Sequence, residues 1–105
     1  MPMYVVFASV GFTTVTRRNR VATKAQEQAA ANGFAPSSRV PNMRPGTVSF
    51  NDTTTLPGTT YPSVSICYEH TDQELVAQAE HVIQAEITGQ GVVTGWYGTW
   101  TDFSS

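Results

Sequence analysis

Apolar residues along this chain recur in two rhythms, short runs or alternations and wider helical stripes. Residues 3–10, MYVVFASV, form a short apolar run rich in β-branched and aromatic side chains, which predicts a strand. Tyr4, Val6, Ala8 and Val10 face one way and Val5 and Phe7 the other, so both sides are apolar and the strand belongs in mid-sheet. From 16 to 32, Val21, Ala22, Ala25 and Ala29 make a narrow stripe at helical spacing. Asn32-Gly33 is a stop signal, with Phe34 placed to pack back. Residues 35–46 hold three prolines and a glycine and read as a long loop. A second strand is predicted at 47–51, with Val48 and Phe50 on one face. A turn-rich stretch follows over 52–62, where Pro57-Gly58 suits the centre of a type II turn. A third strand covers 63–70, with Val64, Ile66 and Tyr68 alternating with Ser65, Cys67 and Glu69. TDQEL opens a second helix, Thr71 and Glu74 having the spacing of a capping box. Leu75, Val76, Ala79, Val82, Ile83 and Ile87 line that helix to about Gly89. Residues 92–100 predict a fourth strand, its Gly95 and Gly98 marking a bulge or a close backbone approach.

The order is β-α-β-β-α-β over a single domain, 1–105. It predicts an α+β, ferredoxin-like fold: a four-stranded antiparallel sheet with both helices on one face. The first and third strands become central. The other face is left bare, lined by Val5 and Phe7 with either Trp96 and Trp100 or Val93 and Tyr97. A bare apolar face marks an interface, and two such faces would make an isologous homodimer. The 35–46 loop or the C-terminal tail folding over that face is the competing expectation.

Composition supports contact with other proteins. Hydrophobic residues make up 40% of the chain and charged residues 13%, against about a quarter charged in ordinary domains. Threonine supplies much of the polar surface. Cys67 stands alone, which excludes an internal disulfide and a multi-cysteine metal site. No apolar run approaches the roughly 20 residues that cross a bilayer, and a cytoplasmic setting is the expectation.

The net charge of −2 hides a division. All six basic residues precede residue 45 (Arg17, Arg18, Arg20, Lys24, Arg39, Arg44), and seven of eight acids follow it. Arg17, Arg18 and Arg20 sit at the start of the first helix, the end whose dipole disfavours cations. Three explanations are open. They answer Glu80 and Glu86 near the end of an antiparallel second helix; they bind phosphate or a nucleic-acid backbone; or they belong to a protein-binding patch.

Candidate chemistry is sparse. Tyr68, Glu69 and His70 could do acid–base work and suggest a ligand cleft at Tyr68 and His70, but adjacent strand residues point to opposite faces. His70 and His81 make no metal motif. GQGVVTG lacks the lysine and hydroxyl residue of a phosphate loop. No catalytic residue and no cofactor are assigned.

In layout the chain resembles dimeric α+β barrel enzymes, RNA-recognition modules and the small CRISPR adaptation nuclease, whose chains also open with a strand like MYVVFASVG. That nuclease family has an aspartate where Ser9 stands here, and the third strand carries one aromatic, Tyr68, short of an RNA-recognition pattern. The leading expectation is a small non-enzymatic, homodimeric, macromolecule-binding protein, of the kind found as phage or mobile-element products, either virion components or inhibitors of a host system. Its contacts would be Arg17, Arg18, Arg20, Trp96, Tyr97 and Trp100, since arginine and large aromatics dominate interface energies. A dimeric barrel-type enzyme or small-ligand binder is the alternative, and a nucleic-acid module using the three arginines a second one.

Overall fold

A computed structural model describes residues 2–41, 43, 45, 46 and 53–102, with the backbone alone for 53–56 and 102. The chain runs β1 (Met3–Gly11), α1 (Val15–Asn32), β2 (Ala35–Pro36), β3 (Thr53–Leu56), β4 (Thr59–His70), α2 (Gln73–Gln90) and β5 (Thr94–Asp102). All pairings are antiparallel, in the order β2-β4-β1-β5, with β3 also on β4. This is the ferredoxin-like α+β arrangement, with β1 and β4 central. Its second strand position is filled by two short pieces: β2 lies opposite Tyr68 and Glu69, β3 opposite Thr59 to Pro62.

That split edge corrects the reading of residues 52–62 as connection. Thr53–Leu56 is a strand, and Pro57-Gly58 is the apex of a tight hairpin into β4, with Leu56 opposite Thr59. Gly58 has φ 86°, the value a type II turn needs at its second central residue. The strand expected at 47–51 lies outside the described residues. β4 starts four residues earlier than expected, at Thr59, so its hairpin with β3 runs past the end of β1 at Gly11, which pairs with Ser63.

Both helices cover one face. Val21, Ala22 and Ala25 of α1 and Val76, Ala79, Ile83 and Ile87 of α2 pack on Val6, Ala8, Val10, Val64 and Ile66. Small residues on α1 let it lie close to the sheet. Gly33 takes the left-handed cap of α1 at φ 68°, and Phe34 turns back into the core. At α2 the cap is Asp72, one residue later than the capping-box reading of Thr71. Its carboxylate accepts from the backbone N–H groups of Glu74 and Leu75, and the helix runs past Gly89 to Gln90. β5 pairs with β1 in unbroken register from Gly11–Thr94 to Met3–Asp102, so neither Gly95 nor Gly98 makes a bulge, and the close approach is at Gly95. A Cβ on Gly95 would lie 1.9 Å from the Ser9 carbonyl oxygen.

Candidate protein-binding surface on the open sheet face

The face away from the helices is divided. Pairing sets Val5 beside Glu69 and Trp100, Phe7 beside Cys67 and Gly98, and Ser9 beside Ser65 and Trp96. Over β4 and β1 this face is closed by the chain itself. Val40 packs with Val5 and Cys67 in a second small core, flanked by Phe7 and Met43. The loop that brings Val40 there is held at both ends by one acceptor: the N–H groups of Ser37 and Gly46 both donate to the Cys67 carbonyl, at 3.0 and 2.8 Å. Arg39 adds a clasp from the middle of the loop, its Nε donating to Glu69 Oε2 at 3.2 Å. Chain segments that double back with their ends together pack in this way on their own side chains. The expectation of a wholly bare face is therefore corrected, because Val40 and Met43, two lone apolar residues in a proline-rich stretch, cover its β4 half.

The β5 half stays open. Trp96 is 47% exposed and Trp100 38% exposed, the two largest solvent-facing apolar side chains described. Trp96 leans on Phe7 with ring centroids 5.0 Å apart and planes tilted by 57°. Tyr97, expected with them, points to the other side and packs partly buried against the main core.

The three arginines also separate. Arg17 Nη1 donates to the Gln90 carbonyl, 3.0 Å away at the end of α2. That helix has no basic residue in its last turn, so Arg17 places a cation from α1 at the negative end of α2's dipole. Arg18 is 2% exposed and lies inside the molecule, where its Nη1 donates to the Ser63 carbonyl at 3.1 Å. Arg20 lines a shallow, open groove of about 470 Å³ along α1 with Thr16, Asn19, Thr23, Lys24, Glu27 and Glu86. Glu80 and Glu86 accept instead from Gln84 and Gln90, one turn on. No ion pair joins those acids to the three arginines among the described residues, so the first of the three open explanations is not met by ion pairs. The reason is reach: Arg17 finds a carbonyl first, Arg18 is drawn into the core, and each glutamate has a glutamine on its own helix face.

Tyr68 and His70 do not form a cleft. Tyr68 is buried, its hydroxyl donating to the Gly46 carbonyl at 3.2 Å, and burial pushes its phenol above the ordinary range. His70 Nδ1 accepts from the Asp72 N–H at 2.9 Å, and its ring tilts against Phe34. The Tyr68 hydroxyl and the His70 Nδ1 are both used in building the structure. Among the described residues no group of three or more His, Cys, Asp or Glu could hold a metal, and no helix is long and apolar enough to cross a membrane.

Cys67 reports on the loop. Burial raises its thiol above the ordinary range, hydrogen bonds with the Val40 backbone and the Ser37 side chain work the other way, and the charge of Glu69 adds to the rise. A thiol that stays protonated under a packed loop is a poor nucleophile. Ellman's reagent at pH 8 is expected to leave Cys67 unmodified in the folded chain. Val40→Ser, which replaces the covering side chain with a polar one, is expected to raise the modification rate by about ten-fold or more through local opening. Equal rates in the two proteins would show that the loop does not seal the thiol.

Comparison with family models, with curated proteins and with solved structures finds no match to this chain.

Proposed function

We propose that the chain is a non-enzymatic protein that works by binding other macromolecules, itself first, as a homodimer joined through the Trp96 and Trp100 side of its sheet. One observation carries this reading: two tryptophans stand half exposed on a part of the open face that the described residues of the 37–46 loop do not cover. Tryptophan is a rich source of interface energy, because a large rigid ring is buried at little entropic cost. Phe7 beneath Trp96 holds that ring in place before any partner arrives. The polar groups one would recruit for catalysis, Tyr68 and His70, are already engaged within the fold. The groove beside Arg20 counters Arg20 and Lys24 with Glu27 and Glu86, a balance that does not favour an anionic backbone.

Light scattering on the purified chain tests the reading. The wild type is expected to run at twice the mass of one chain, and Trp96→Ser/Trp100→Ser at the mass of one, with the same helical circular dichroism. A wild type that stays monomeric as its concentration rises overturns it.

A further inference from the structure

We propose that β5 is a self-pairing edge: two copies of the chain align their β5 strands antiparallel about a two-fold axis at Gly98, joining two sheets into one. The proposal rests on the reading above, and specifies how the Trp96 and Trp100 surface meets its partner.

The edge is open, and its one charged residue, Asp102, stands at its very end. β5 has β1 as its one strand partner among the described residues. It is nine residues long and its register with β1 is regular throughout. Proteins keep such edges apart with charged residues, proline, bulges or short strands. Residues 94–101, TGWYGTWT, contain no charge and no proline, and the ladder shows no bulge. The opposite edge is guarded by brevity: β2 is two residues long and ends in Pro36, and β3 is four residues long.

The strand is also complementary to its own reverse. A two-fold perpendicular to the sheet keeps both open faces on the same side, so each residue must meet one of its own parity. With the axis at Gly98, Trp96 lies opposite Trp100 of the second copy and Trp100 opposite its Trp96. Tyr97 meets Thr99, and Thr94 meets Asp102. Moving the axis to Tyr97 sets Trp96 against Gly98 and Trp100 against Thr94. Moving it to Thr99 sets Trp96 against Asp102 and Trp100 against Gly98. Of these three registers, the one at Gly98 alone pairs indole with indole, and residues directly opposite across such a ladder have Cβ atoms about 4.5–5.5 Å apart. Four indoles then form one strip along the join, covering the part of the face that the 37–46 loop leaves bare.

Cross-linking in the full chain tests the register. Thr94 and Asp102 lie at opposite ends of one strand, too far apart to link within a copy, yet the Gly98 axis brings each beside the other's mate. The double variant Thr94→Cys/Asp102→Cys is expected to form a covalent dimer on mild oxidation, while Thr94→Cys alone and Asp102→Cys alone stay single chains on a non-reducing gel. A dimer by light scattering that does not link overturns edge pairing and leaves the tryptophan surface as the interface, by face-to-face stacking or another contact. A monomeric wild type overturns both. Hydrogen exchange on the unaltered chain gives a second measurement independent of the cysteines. Amides of β5 that do not bond to β1 are expected to slow by about ten-fold or more as concentration rises through the association range. Unchanged exchange there in a dimeric sample overturns the pairing.

Discussion

Gly95→Ala is expected to leave the chain largely unfolded under conditions where the wild type is stable, with a loss above about 3 kcal/mol. The added Cβ would fall 1.9 Å from the Ser9 carbonyl oxygen and 2.6 Å from the Val10 Cα, both backbone atoms of the central strand. Neither can move without disturbing β1, whose other side is paired with β4 along its length. Gly95 also has φ 123°, a conformation that side-chain-bearing residues rarely adopt. The contrast is Gly89→Ala. That glycine lies within α2 with open space around the position of a Cβ. Alanine there should stabilise by about 0.5–1 kcal/mol through helix propensity. Urea denaturation of the two variants checks the pair, and equal midpoints would show that the approach of β5 to β1 is looser than 1.9 Å implies.

Arg18→Ala is expected to destabilise the fold by about 2–4 kcal/mol. The guanidinium is buried between the start of α1 and β4, donating to the Ser63 carbonyl at 3.1 Å and to Asn19 Oδ1 at 2.7 Å. Truncation removes a long side chain from the interior and takes the donor away from a carbonyl where β4 leaves β1 for its hairpin. Replacing a buried charge with an apolar side chain of like volume avoids the desolvation penalty. Arg18→Met should therefore lose less, about 1 kcal/mol. The two denaturation midpoints separate packing from hydrogen bonding. If Met restores nothing over Ala, the guanidinium's hydrogen bonds carry the whole effect; if Met matches wild type, those bonds contribute nothing net.

Arg18 also shows what was legible. It sits four residues before Ala22, in line with the stripe through Ala25 and Ala29, whereas Arg17 and Arg20 lie off it. Position on the stripe separates a core arginine from its neighbours, but the grouping of three adjacent cations hid it. β1, β4, both helices and β5 could be read directly because each has enough apolar residues to show a period, and Gly33-Phe34 because its cap has a stereochemical cause. The edge pieces could not. TTTL at 53–56 has no alternation of apolar and polar residues, and Ala35-Pro36 is too short to have one. Their pairing is imposed by β4, whose length past Gly11 supplies a ladder for β3. The α2 cap was misplaced by one residue because Thr71 and Asp72 are both competent and the helix start decides between them. On the open face, alternation along the last strand separates Trp96 and Trp100 from Val93 and Tyr97 but leaves open which pair faces out, and pairing with β1 decides it for the tryptophans.

The broken strand at the far side of the sheet has a consequence for assembly size. Any chain added there would meet, among the described residues, a two-residue segment ending in an imide nitrogen with no hydrogen to give, and a four-residue strand at Thr53–Leu56. Strand-by-strand growth into a filament needs two receptive borders on every unit. Among the described residues β5 is the one long, regular border, so the β5 pairing proposed above would end after a single step.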